Sequence, residues 1–408
     1  MTGACRDRET GSYASRFPVG AAVTVADLEG DPHALLAELR EREPVSWLPA
    51  LGGWLVTRRD LALEAMRDAR AFTVQDPRFT TARVVGPSML SLDGAEHERH
   101  RAPFIAPFRL GEVHERMAAS VREEVQLLLD ELEPLGEAEL RRGFAGPLAT
   151  AVVTRTLGLG HAATGAVLGW YDAIVAAVTD LSAGRPAGAA AQEAVAALGE
   201  AVGAALPPGG PGGPDVRAEP SLLALAAGAG GLAEDEVASN AAVLLFGGIE
   251  TTEGMIANAL VHLLSGPAAL ELVRADPGRL ADVVEESLRL EPAAAVIDRY
   301  ATAGVTLGGA AIAAGDLVRI SITAANRDPE TFSDPDRFDP LRPNARRHLA
   351  FAGGPHVCVG MHLARLEAHT ALAALLARLP RLRLDPARPP QIRGLVFRKP
   401  PALHVLWT

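Results

Sequence analysis

The stretch FAGGPHVCVG, residues 351–360, decides how the rest of the chain is read. It puts one of only two cysteines among 408 residues into a glycine-rich loop, just ahead of the helix-like run Val359 to Leu379. A thiol at a helix entrance ionises readily, because open N–H groups and the helix dipole favour the thiolate. Gly353, Gly354 and Gly360 let the backbone approach something flat or bulky, and Pro355 stiffens the loop. A thiolate presented this way serves as a nucleophile, a redox switch or a metal ligand. The plain alternative is a buried structural cysteine.

The neighbourhood narrows the choice. A nucleophile needs a base, and His356 is the nearest histidine in sequence. A zinc site needs more cysteine and histidine neighbours at short spacing than this loop supplies. A single axial thiolate to a haem iron needs no second protein ligand and fits best.

Composition sets the frame. Hydrophobic residues are 48 % and aromatics 4 %, which favours a helix-rich fold packed with small aliphatic side chains. The 39 basic and 50 acidic residues give a net charge of −11, which argues against nucleic acid as a general partner. Cys5 and Cys358 are too far apart in sequence to frame a disulfide scaffold, which indicates a reducing compartment. MTGACRDRETGSYASR, residues 1–16, has no apolar stretch after its charges and so is no secretory signal. The longest apolar run, Val237 to Ile249, contains Ser239 and Asn240 and is too short to span a bilayer. The expectation is a cytoplasmic chain with no membrane association.

Helical periodicity covers Pro32 to Glu43, Asp60 to Arg70, Glu112 to Leu132, Leu148 to Leu157 and Ala163 to Leu181, and resumes at Glu234. Trp47 to Thr57 reads as a hairpin turning at Gly52-Gly53, and Val305 to Ile320 as two short strands. Pro207 to Pro214 is low-complexity surface loop. Asn326 to Asn344 has little periodicity, and a long irregular stretch inside a compact fold is commonly functional. These patterns add up to a mainly α fold with small β-sheets. Within it, AAVLLFGGIETTE (residues 241–253) sets two glycines, an acid and two threonines into an apolar helix. Each mid-helix glycine costs about 1 kcal/mol against alanine. One helix ending at Gly247 and another starting from a threonine cap is therefore the alternative. The apolar pattern runs on through Met255, Ile256, Ala259, Leu260 and Leu263, which favours one helix.

The pattern Phe351-x-x-Gly354-x-His356-x-Cys358-x-Gly360 resembles the haem-binding signature of the cytochrome P450 family. Further segments match that family in order. The resemblance implies a single large domain over 26–408 after a flexible segment 1–25. It also implies haem b bound by Cys358, with Phe351 and Gly247 at the cofactor. His97 and Arg101, at i and i+4, would hold haem propionates together with Arg299 and His356. A charged solvent face is the alternative for the first two. Glu286 and Arg289, at i and i+3, match the Glu-x-x-Arg motif, and Arg342 falls where the family locks that pair to the irregular segment. Glu250-Thr251 matches the acid–alcohol pair, the acid relaying protons and the hydroxyl hydrogen-bonding dioxygen. Ile249 stands where a polar residue is common, and Met361 where a small one is usual.

By the same resemblance, substrate-facing positions include Met89, Leu90, Phe246, Ala294, Val296 and Phe397, all apolar. Asp298 or Arg83 would hold a polar handle. The implied activity is monooxygenation of a hydrophobic organic substrate, with electrons from NAD(P)H arriving through a ferredoxin reductase and a ferredoxin. Arg346, Arg347, His362 and Arg365 would offer a basic docking patch, solubility being the plainer role. A monomer is expected. Epoxidation, oxidative coupling or peroxide-driven oxidation are alternative outcomes, and a haem-binding sensor without turnover is the alternative outside catalysis. Retained Glu250-Thr251 counts against obligate peroxide use and against the sensor.

Overall fold

The computed structural model describes residues 13, 15–160, 162, 164–182, 185–206 and 221–408. The fold is mainly α with small sheets, as the patterning indicates. The chain divides into two compact units, each assembled from separated segments. The first comprises Met1–Val74, Ala257–Cys358 and Leu384–Leu403; the second comprises Gln75–Ile256, Val359–Arg383 and His404–Thr408. Among the described residues no single helix is long and apolar enough to cross a membrane. The low-complexity stretch 207–214 lies outside the described residues.

The first unit is built on a five-stranded sheet. Val45–Leu48 and Gly53–Val56 form the expected hairpin, with Val45 opposite Val56. Its turn is a Pro49–Leu51 3-10 turn closed by Gly52 at φ +58°, so Gly53 already belongs to the strand. Gly53–Val56 runs parallel to Leu317–Ser321, which pairs antiparallel with Val296–Ala301. Val305 to Ile320 holds three strands where two were expected, because Val305–Leu307 and Ala310–Ile312 fold back on each other before Leu317–Ser321. Gly308 and Gly309 take φ +53° and +82° at the turn, a geometry open to glycine at little cost. A chain with four tryptophans sets two of them edge to face here, Trp47 and Trp54, with ring centroids 5.5 Å apart.

Helix also starts earlier than expected, at Pro18–Ala22 inside the stretch read as flexible. Its first amides explain this. Val19 and Gly20 donate to the buried Glu43 carboxylate at 2.8 and 2.9 Å, and Phe17 packs edge-on to Trp54. Residues 1–12 of that stretch lie outside the described residues.

In the second unit, helices occupy Gly94–Ile105, Leu110–Leu132, Gly146–Leu157, Thr164–Ser182, Ala189–Ala205 and Met361–Arg378. Glu234–Ser265 is one unbroken helix of 32 residues that passes from the second unit into the first. The reading with a helix end at Gly247 is therefore set aside. Continuous i→i−4 bonding and burial on both flanks outweigh the glycine cost.

The irregular segment 326–344 is held by three ionic side chains. Glu286 and Arg289, both fully buried on the Leu280–Leu290 helix, form a two-pronged pair at 2.7 Å on each prong. Arg342 Nε joins Glu286 Oε1 at 3.0 Å, and the Asp339 amide donates to the same oxygen at 3.0 Å. Arg289 then donates to the carbonyls of Asn326, Pro335 and Arg337. Arg342 donates to those of Ser333, Asp334 and Arg337. A second buried carboxylate, Glu291, takes Arg398 at 2.6 Å, Arg327 at 3.3 Å and His33 at 3.0 Å. Burial pushes its acidity one way, but the His33 bond and the Arg398 and Arg327 charges outweigh that and hold its pKa at about 2.

Two outcomes follow. Glu286→Gln leaves two buried guanidinium groups without their anion and costs about 3–5 kcal/mol in urea unfolding. Glu291 has a folded pKa below its ordinary 4.5, so its stabilisation is complete above that value and is lost as pH falls toward about 2. Unfolding free energy measured across this acidic range falls with pH in the parent and falls less steeply in Glu291→Gln.

Candidate active site

The cysteine loop hangs from the network just described. Asn326 accepts the Leu349 amide at 2.6 Å, so the residue whose carbonyl takes Arg289 also takes the start of the loop. Glu285, next to Glu286, meets His348 Nε2 at 3.2 Å, and the His348 ring lies 5.8 Å from that of Phe351. The Cys358 amide donates to the Phe351 carbonyl at 2.9 Å, which closes the loop into a compact turn. Cys358 itself is exposed, and the Met361–Arg378 helix starts three residues after it, with Gly360 at its N-cap.

Gly354 and Gly353 differ in what surrounds them. Gly354 has φ +69°, and a Cβ there would sit 2.4 Å from the Met66 carbonyl. Its bareness fits the end of the Arg59–Arg67 helix against the loop. Gly353 has ordinary space around a built Cβ, 3.4 Å from Leu63, so its bareness is not required there.

Arg299 lies on Val296–Ala301 and is 4 % exposed, donating through Nη1 to the Asp298 carbonyl at 2.8 Å. Asp298 is not available as a substrate handle. Its carboxylate is held two-pronged by Arg319, directly opposite on the neighbouring strand, at 2.7 and 2.8 Å. Ala294 and Phe397 form an isolated bridge, so the first unit brings these two expected positions together. Val296 is buried.

In the second unit, the half-buried positions between 241 and 253 are Leu244, Gly247, Gly248 and Thr251. Their spacing is a single helix face. A Cβ on Gly247 would meet nothing within 4 Å, whereas one on Gly248 would touch Val153 at 3.1 Å. One glycine faces open space and the other allows close packing. Thr251 Oγ1 donates to the Gly247 carbonyl at 2.6 Å, a bond of the kind that bends a helix locally. Glu250 is 4 % exposed and accepts a hydrogen bond from the Tyr171 hydroxyl. Phe246 is buried on the same helix.

His97 is 4 % exposed, not on a solvent face, and Arg101 is half-buried one turn on. Their helix is tied to the long helix by residues that motif reading passed over. Asn240 accepts the Met89 amide at 2.9 Å and faces His100 Nδ1 at 2.9 Å, while Arg99 pairs with Glu236 at 2.6 Å. Met89 is buried, in a core cluster with Phe104 and Ala226. Leu90 is half-buried, and Arg83 is exposed on Thr80–Val85. A cavity of about 580 Å³ in this unit is lined by Val85, Val195, Leu198, Ala238, Ser239 and Ala242 among others.

These residues fit a haem in kind. An exposed cysteine offers a soft ligand, His97 and Arg299 are buried nitrogen donors suited to carboxylates, and a glycine-bearing apolar face opens onto unfilled space.

The Cytochrome P450 family profile matches residues 279–406. The chain is 36 % identical to the 20-oxo-5-O-mycaminosyltylactone 23-monooxygenase of Streptomyces fradiae, over 86 % of this chain and 83 % of that one. It is 34 % identical to the 6-deoxyerythronolide B hydroxylase of Saccharopolyspora erythraea, over 88 % and 93 % respectively. The crystal structure of CalO2 superposes with a TM-score of 0.81 at 28 % identity, covering 93 % of this chain and 96 % of that one. The chain belongs to the cytochrome P450 family, as a monooxygenase whose cofactor is haem b.

Proposed function

We propose that this monooxygenase hydroxylates or epoxidises a bulky, largely apolar organic molecule in bacterial specialised metabolism, of the lactone kind named for its Streptomyces fradiae relative. The observation that carries the reading is one face of the long helix. There an apolar face opens at Leu244, Gly247 and Thr251 beside a buried acid, Glu250. Haem b, when bound, supplies the iron centre that activates dioxygen with two externally delivered electrons.

The chain's residues divide the remaining work. Cys358 would hold the haem iron through its thiolate, and Phe351 shelters the loop that carries it. Gly247 would leave room for the cofactor. His97, Arg101, Arg299 and His356 would bind its carboxylates. Thr251 holds its hydroxyl toward the open face of the helix, and Glu250 passes it protons taken from water. Glu286, Arg289 and Arg342 keep the cysteine loop in register. Leu90, Phe246, Ala294, Val296 and Phe397 line the substrate region, and their apolar character supports a hydrophobic substrate. Residues 26–408 are taken as one functional domain, after the family resemblance.

A ferredoxin with its reductase delivers the electrons, and the enzyme works as a cytoplasmic monomer. Arg346 supports a docking role: its side chain is 65 % exposed, with Glu285 at 3.6 Å as a loose partner. Arg347 is exposed beside it. His362 and Arg365 are near enough for Arg365, after burial, to hold the His362 pKa below its ordinary value.

Three measurements test this reading. The reduced, carbon monoxide-bound protein shows the red-shifted Soret band of a thiolate-ligated haem, and Cys358→Ala abolishes it; a retained band sinks the assignment. Thr251→Ala continues to consume electrons but releases hydrogen peroxide in place of most product. Reversing Arg346 and Arg347 to Glu slows ferredoxin-dependent turnover about tenfold at low salt, the deficit shrinking as salt rises. An unchanged rate ends the docking idea.

A further inference from the structure

We propose that Tyr171 positions Glu250 for proton delivery. The inference rests on the role given above to Glu250 and adds a residue that no sequence motif names. Tyr171 lies on Thr164–Ser182, is 1 % exposed, and donates its hydroxyl to Glu250 Oε2. Burial, and then the Glu250 charge, push the phenol well above its ordinary pKa. It therefore stays protonated, and stays a donor, at any working pH.

The surroundings show why one donor matters here. Glu253, one turn further along the helix, is fully buried, and Arg141 takes it at 2.9 Å with Arg142 Nε at 4.0 Å. That carboxylate is neutralised by its own partners. Arg142 also reaches Asp172 at 3.2 Å, and Asp172 is 56 % exposed. Charged groups thus run inward from the surface at Asp172 to the vicinity of the Tyr171–Glu250 pair. Asp172 directly follows Tyr171 in sequence, so one helix turn supplies both the outer and the inner member.

Holding a carboxylate by one oxygen selects one rotamer. On this helix Glu250 lies off the open face formed by Leu244, Gly247, Gly248 and Thr251. Tyr171 therefore keeps the acid on the side where charged groups approach from the surface, next in sequence to the threonine it serves. Tyr171 acts through Glu250 and is a positioning residue. Without it the carboxylate samples several rotamers, and protons reach Thr251 more slowly.

The test uses full-length, haem-loaded enzyme and the variants Tyr171→Phe, Glu250→Gln and the double variant. In the resting ferric protein, the infrared carboxylate band that disappears in Glu250→Gln belongs to Glu250, and it shifts in Tyr171→Phe. During turnover, each single variant raises the share of electrons recovered as hydrogen peroxide about threefold or more, and the double variant raises it no further. Tyr171→Gln, which keeps a donor, stays closer to the parent and serves if the phenylalanine variant does not fold. An unshifted band overturns the inference. So does a parental peroxide share in Tyr171→Phe while Glu250→Gln is impaired, and in that case the Glu250 role stands. A parental share in Glu250→Gln removes the Glu250 role and the inference with it.

Discussion

The carboxylate of Glu286 is the constraint on which the cysteine loop depends. It is a fully buried anion that binds two arginines and one backbone amide. Those arginines spend their remaining donors on main-chain carbonyls of a segment with almost no secondary structure. Such a segment has no ladder of its own to satisfy its polar groups, and unpaired carbonyls in the interior are costly. The two guanidinium groups replace that ladder. Because each is planar and has several donors, the carbonyls must converge at fixed angles. The path from Asn326 to the loop is thereby nearly determined before any ligand is considered.

The same logic recurs nearby. Glu285 and Glu286, within the Leu280–Leu290 helix, and Glu291, just after it, are all buried, each with cationic or histidine partners. Buried ion pairs add little net stability when desolvation is counted. Their use here is specificity, since only one arrangement of the surrounding loops satisfies every donor.

Much of this was legible in the sequence where partners are close along the chain. Glu286 and Arg289 are three apart, and His97 and Arg101 four apart, so helical spacing alone puts each pair on one face. Helix bounds were read to within a few residues for His33–Arg42 and Leu110–Leu132, where the apolar stripe is regular. The hairpin at Gly308-Gly309 was missed because a run of small and β-branched residues suits one long strand as well as two short ones. Tyr171 was invisible for a different reason. It is 79 residues from Glu250, and a tyrosine in an apolar helix looks like core until the fold supplies its acid. Gly354 was noticed for the right residue type and the wrong neighbour. A tight approach is readable as glycine, but what approaches is not.

The order of strands in the first unit has a consequence for how the chain is made. The N-terminal hairpin is completed by Leu317–Ser321, and Phe72–Thr73 finds its partner only in Val296–Ala301. During synthesis the edge presented by Trp54 and Leu55 must therefore wait until Val318 and Arg319, far along the chain, have been translated. Pairings this distant in sequence form slowly, because loop-closure entropy is spent before any contact repays it. The nascent hairpin is thus the part of the molecule most exposed to wrong pairing and most in need of a chaperone's cover.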